Sequence, residues 1–254
     1  MSSSIWTAAG LSSSAIAHSG RCWRVVEAQH QVSTMKLTDS LPEQAMLENL
    51  IEDTKPKVPA DSARLHYLLM TPFRYSRSNP WGSRFRRPHA PDGVFYAAEY
   101  PATAVAEMSF HRLLFFADSP QTSWPKNAGE YTAFASEYRS ERTLDMTAAP
   151  FRGDAKLFDL SNYDASQSFA DEARTAAIDV LKYVSVRDPE RRHNFALLKP
   201  DVFTNSEPVD RQSWRIHFDA NGVRALCEMP QLSLAFGRDA FAADVRMTGM
   251  TWER

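Results

Sequence analysis

The chain has 254 residues, with 29 Lys and Arg against 31 Asp and Glu, a formal net charge of −2 at pH 7. Hydrophobic residues make up 43% and charged residues 24%, the balance of a soluble globular protein long enough to bury a core without disulfides or a structural metal. The near-neutral charge argues against a dedicated nucleic-acid or membrane-surface binder. No apolar run reaches the roughly eighteen residues of a transmembrane helix, and the two cysteines, Cys22 and Cys227, form no CxxC pair, which points to a reducing, cytoplasmic setting.

Residues 1–20 are Ser/Ala-rich and lack the basic start and apolar core of a secretory signal, so they are expected to form a disordered arm. Residues 21–59 read as an N-terminal extension with one helix. Ser40-Leu41-Pro42-Glu43 is a capping box with proline in the first turn, and Leu47, Leu50 and Ile51 carry helical spacing to about Glu52. That face reads as core in preference to a partner groove. Asp53 to Ala60 is a charged, proline-bearing linker.

The remainder, 60–254, reads as one catalytic domain. Leu65 to Met70 is expected to be a buried strand. Residues 76–93, rich in Arg, Ser, Asn, Pro and Gly, form a long loop of the kind usually kept for function. Gly93 to Ala97 is a short strand, and Pro101 opens a helix that runs to about Phe116. Strands are expected over 130–146 and 155–160. A helix is expected over Ser168 to Tyr183, with Phe169, Ala173, Ala176, Val180 and Leu181 on one face. Phe195 to Leu198 is a strand, and Trp214–Phe218 and Val223–Met229 flank the turn Asp219-Ala220-Asn221-Gly222. The tail beyond has no clear pattern. The sum is an α+β fold, strand-rich, with helices packed around a central sheet.

Several enzyme classes lack their motif here: there is no GxGxxG after a strand, no Walker loop, no HExxH and no GxSxG. The seven histidines do not cluster at ligand spacing, so no metal site is expected. What stands out is the segment 71–112, which holds Arg74, Arg77, Arg84, Arg86, Arg87 and Arg112 interleaved with Tyr75, Trp81, Phe85 and Tyr96. Guanidinium groups grip pyrophosphate through planar paired hydrogen bonds, and aromatic faces stack on nicotinamide or adenine. Glu107 lies in the helix that follows, and such a carboxylate can stabilise an oxocarbenium-like charge at a ribose carbon. Glu99 is the alternative carboxylate, and Glu107 with His111 also suits a plain helix-surface pair. Arg187, Arg191 and Arg192 read as surface charge.

In the order Phe73-Arg74-Tyr75, Gly82-Ser83-Arg84-Phe85, Gly93 to Glu99, Thr103-Ala104-Val105-Ala106-Glu107, Lys182 to Arg187 and Asn194 to Leu197, the chain resembles the RES-domain family over roughly residues 65–205. The stretches Trp23-Arg24 and Ser33 to Leu37, with the 40–52 helix, resemble its longer, ParT-like members. The resemblance implies an ADP-ribosyltransferase-like domain with an antiparallel-rich sheet. It implies NAD as the substrate, no metal, and a toxin that transfers ADP-ribose to a protein, possibly phosphoribosyl pyrophosphate synthetase, or that hydrolyses or phosphorolyses NAD. It implies an Xre- or ParS-like antitoxin that blocks the cleft, so that nucleic acid is met only through that partner. By the same carry-over Arg74, Glu107 and Ser185 are the catalytic residues, and Tyr75, Arg84 and Tyr96 bind the nucleotide. A competing expectation is a nucleic-acid module that uses the Arg/aromatic stretch 74–87.

Overall fold

The computed structural model describes residues 6–28, 32–75 and 80–254. Its frame is an eight-stranded sheet in the order β1-β2-β5-β4-β3-β6-β7-β8. The strands are β1 (Ile16–Glu27), β2 (Phe95–Ala98), β3 (Gly129–Asp145), β4 (Val180–Val184), β5 (His193–Leu197), β6 (Asp210–Asp219), β7 (Gly222–Cys227) and β8 (Leu232–Gly237). β1 also pairs with β3, from Ile16 opposite Thr143 to Glu27 opposite Tyr131, and this closes the first five strands of that order into a ring. β3 and β4 run parallel; the other neighbours are antiparallel. The helices are α1 (Ala8–Ser13), α2 (Val32–Met35), α3 (Leu41–Thr54), α4 (Tyr67–Arg74), α5 (Pro101–Asp118) and α6 (Asp164–Thr175). The mixed architecture agrees with the expected α+β class. No helix among the described residues is long and apolar enough to cross a membrane.

Three helices, α4, α5 and α6, bury one side against this frame. α5 packs Phe110, Leu113 and Phe116 against Trp23, Tyr131 and Trp214 of β1, β3 and β6. α6 brings Phe169 and Ala173 onto Leu144 and Leu181. α4 sets Leu69 and Phe73 against Phe95 and Phe195. Side chains of this size removed from water supply most of the favourable free energy of folding. The 222 turn requires glycine: Gly222 has φ +121, and a Cβ there would lie 2.1 Å from the Phe236 carbonyl oxygen.

Several expectations give way to the structure. Residues 6–20 are not a disordered arm, although 1–5 lie outside the described residues. Thr7 caps α1 by accepting from the Gly10 amide, Leu11 is buried, and Trp6 packs on Phe151 and Phe169 while donating to Asp154 at 3.1 Å. Small Ser/Ala residues suit a short capped helix once two apolar anchors find the core. β1 is likewise an integral strand of the sheet, not an element outside a domain that starts at residue 60. Leu65 to Met70 leads into a helix: His66 caps α4 through Nδ1, and Leu68, Leu69 and Phe73 face inward. A short apolar run has no period that separates strand from buried helix. The stretch 155–160 is a 3-10 turn capped by Asp154, not a strand. The predicted 168–183 helix ends at Thr175, turns at Ala177 (φ 54) and continues as β4, where β-branched Val180 and Val184 suit a pleated, buried strand. The tail supplies β8. α3 forms with the expected cap, Ser40 Oγ accepting from the Glu43 amide, but buries no residue, so its Leu47/Leu50/Ile51 face is not core.

Candidate active site

α5 carries Ala104, Glu107, Met108 and His111 at i, i+3, i+4 and i+7, one face of the helix. That face forms one wall of a cavity of about 440 Å³. Trp23 and Arg24 of β1 and Tyr96 of β2 face it from the sheet, and Arg187 from the loop after β4. Trp81, 87% exposed, stands at its mouth. The size and the mix of aromatic faces with a few charged groups are those of a small-molecule pocket.

Glu107 is held with care. Its Oε1 accepts from Ser185 Oγ at 2.6 Å and from Asn194 Nδ2 at 2.5 Å. No partner for Oε2 occurs among the described residues. Ser185 is fully buried, and its Oγ also accepts from the Asp188 amide at 2.9 Å and the Arg187 amide at 3.2 Å. Those amides leave the hydroxyl proton for Glu107 and no other direction. Because Asn194 must donate to a carboxylate, its amide orientation is fixed, and its buried Oδ1 is left without a hydrogen-bond partner among the described residues. Asp188 locks the loop: it accepts from Thr103 Oγ1 of α5 at 2.7 Å and from Arg192 at 2.6 Å. Burial lowers the pKa of the neighbouring His111 imidazole, although Glu107 opposes the shift, so the ring is neutral at pH 7.

The expected site residues separate into two groups. Glu107 and Ser185 come together, and Arg84 and Tyr96 line the same cavity. Tyr96 spends its hydroxyl on the 82–87 turn, bonding Ser83 Oγ at 2.8 Å and accepting from the Phe85 amide at 2.9 Å, and burial raises its pKa. Arg84 is buried, donates to the carbonyls of Leu157 and Asp159 and stacks over Tyr163 at 4.9 Å. It braces the wall more than it reaches into the cavity. Arg74 and Tyr75 do not line the cavity at all. Arg74 closes α4, where it donates to the Pro56 carbonyl and to Glu52 of α3, both at 2.5 Å, and it lies 5.8 Å from the Tyr75 ring. Its partners make it the tie between α3 and α4. The alternative carboxylate Glu99 pairs with His193 at 3.0 Å instead. Arg77 lies outside the described residues.

Arg24, outside the expected set, also faces the cavity. Its Nη1 donates to the Tyr96 carbonyl at 2.9 Å, its guanidinium lies 5.2 Å from the Phe95 ring centre, and burial brings its pKa down to about 10, so it stays charged. Arg187, expected on the surface, is buried against Asp244 at 2.7 Å. Arg24, Asn194, Arg187 and Arg246 were therefore missing from the sequence-based site. Trp23-Arg24 had a signal only as one of the stretches that carry the family resemblance, and pairing with β2 shows which face Arg24 takes. Among the described residues no group of three His, Cys, Asp or Glu side chains is placed to hold a metal ion. Both cysteines are free and buried, and burial raises the Cys22 thiol to about 12.

A sequence comparison with curated proteins finds no match. Among solved structures the chain is similar to a chain of the M. tuberculosis MbcT–MbcA toxin–antitoxin complex, with 12% identity, a TM-score of 0.45, and coverage of 92% of this chain and 96% of that one. The RES domain family model matches residues 58–219, which takes in α4, the 82–87 turn, Glu107, Ser185 and Asn194. A match across well over half of its length establishes that the chain belongs to the RES domain family.

Proposed function

We propose that the chain is the toxin of a toxin–antitoxin pair that breaks the bond between nicotinamide and ribose in NAD, passes the ADP-ribose to a protein and so arrests growth. The observation that carries this reading is a single carboxylate, Glu107, clamped at one oxygen by Ser185 and Asn194 inside a cavity walled by arginines and aromatic rings. As nicotinamide departs with the bonding electron pair, positive charge grows on the ribose carbon. A fixed carboxylate aimed at that charge stabilises the transition state more than the ground state. Ser185 acts as a positioning residue, because its hydroxyl is spent on Glu107. Arg24 is one of the charged groups placed to bind phosphate oxygens. An antitoxin that fills the cavity would silence the enzyme; an Xre- or ParS-like protein is our candidate.

Water or inorganic phosphate in place of the protein acceptor would make the chain an NAD glycohydrolase or phosphorylase. Radiolabelled NAD separates these outcomes when supplied to the purified chain in phosphate buffer, in phosphate-free buffer and in cell lysate. A labelled protein band in lysate is the expected result. Released nicotinamide without labelled protein would move the assignment to hydrolysis or phosphorolysis, and its dependence on phosphate would say which. No consumption in any condition would sink the NAD reading. The nucleic-acid alternative has less support: Arg84 and Arg86 are buried and Arg74 and Arg87 are paired to Glu52 and Asp171, so the 74–87 stretch offers no open basic stripe among its described residues.

The relocated arginine makes a second expectation. Arg24→Ala should weaken NAD binding by about tenfold to a hundredfold, the span for one hydrogen-bonding partner of a charged group. Arg74→Ala should leave it unchanged and shift only stability, and that by little, because the partner carboxylate Glu52 is exposed and screened by solvent. Calorimetry on the two variants checks this, and the reverse order would return the phosphate-binding role to Arg74.

A further inference from the structure

The segment after β8 lies outside the 58–219 match, yet it reaches the pocket. It is anchored along α5. Phe241 packs on Phe110 at 5.8 Å between ring centres, Met247 is buried, and the Trp252 carbonyl accepts from Trp124 Nε1 at 2.8 Å. Between these anchors stand Asp244 and Arg246. Asp244, 1% exposed, takes Arg187 at 2.7 Å and Arg246 at 2.8 Å. Both guanidiniums also donate to the Leu160 carbonyl and lie over the Phe110 ring, at 3.9 Å for Arg187 and 5.4 Å for Arg246.

Two guanidiniums share the Asp244 carboxylate, and Glu107, the other carboxylate of this cavity, acts on Arg187 through space without an ion-pair contact among the described residues. Both side chains line the cavity that holds Glu107, and Arg246 is 30% exposed against 4% for Arg187. Nη1 of Arg246 has no partner among the described residues. Its other nitrogens are fixed by Asp244 and Leu160, so the open edge is held in place at little further entropic cost. A guanidinium edge held open in this way, with the charge of Arg187 behind it, suits an anion that offers several oxygens.

We propose that Arg246, delivered by the C-terminal segment, and Arg187 form a subsite for a phosphate group in this pocket. As a part of the NAD site it rests on the reading above. The phosphate can belong to the pyrophosphate of the dinucleotide or be free inorganic phosphate near the reacting carbon.

The test uses the full chain with Glu107→Gln, which should slow turnover enough for binding to be measured, alone and combined with Arg246→Met or Arg246→Lys. Binding of NAD, inorganic phosphate and nicotinamide riboside, which carries no phosphate, is measured by calorimetry, alongside the thermal midpoint. Arg246→Met should weaken a phosphate-bearing probe by about tenfold or more, Arg246→Lys should recover part of that, and the riboside should be unaffected. Loss confined to NAD identifies the pyrophosphate as the occupant; loss confined to inorganic phosphate identifies the free anion. Phosphate binding that depends on Arg246 in a chain that ignores NAD would keep the subsite and remove the NAD reading. The subsite is overturned if NAD and phosphate are both unmoved by Arg246→Met, if the riboside weakens equally, or if no probe binds the parent chain.

Discussion

Glu107→Gln should reduce nicotinamide release by at least about 10²- to 10³-fold, the usual cost of removing one preorganised group aimed at transition-state charge. The substitution keeps the side chain's volume. Ser185 and Asn194 donate to Oε1, and an amide oxygen in that place still accepts both bonds. The fold should therefore survive, with a thermal midpoint near that of the parent, and only the negative charge is lost. Ser185→Ala should cost less, because the carboxylate keeps its charge and the Asn194 bond but loses one of two constraints on its direction. Nicotinamide release by the three proteins, with midpoints as the folding control, tests both claims. A Glu107→Gln protein with more than a tenth of parental activity would remove Glu107 from the reacting centre.

Where the sequence was legible, the signal was local. The Ser40 cap, the Pro101 helix start and the 219–222 turn are set by neighbouring residues and appear as read. Glu107 and Ser185 were legible as a pattern, but their bond crosses 78 positions of chain and no spacing could predict it. The failures share a cause. Leu65 to Met70 and the 176–184 stretch are short apolar runs whose period is ambiguous, and tertiary context set one as helix and the other as strand. Arg74 and Arg24 both follow an aromatic residue. What separates them is that α4 aims Arg74 at Glu52, whereas β1 sits beside β2 and turns Arg24 toward Tyr96. The role of the tail was invisible for the same reason, since Asp244 and Arg246 have meaning only beside Arg187.

Asp244→Asn should destabilise the chain by about 3 kcal/mol, at the lower end of the range for breaking a buried ion pair, because Arg187 keeps the Leu160 carbonyl. For a chain of this size that is a fall of roughly 6–12 °C in the thermal midpoint. Burial alone would raise the Asp244 carboxyl, but hydrogen bonds from Arg246 and the charges of Arg187 and Arg246 outweigh it and hold the pKa below the ordinary carboxylate value. A carboxyl depressed in the folded state contributes stability that is complete above the unfolded pKa of 3.8 and lost as pH falls through the folded value. The gap between parent and variant should therefore be constant near neutrality and close in acid below about pH 4. Urea unfolding of both proteins across that range measures it, and a gap that widens in acid would contradict the ion pair. Arg187→Met added to Asp244→Asn should recover part of the loss, because the penalty lies mainly in the buried cation left without its partner and less in the contact removed. The same double variant would still lack the guanidinium at the pocket wall, so stability would return without restoring phosphate affinity.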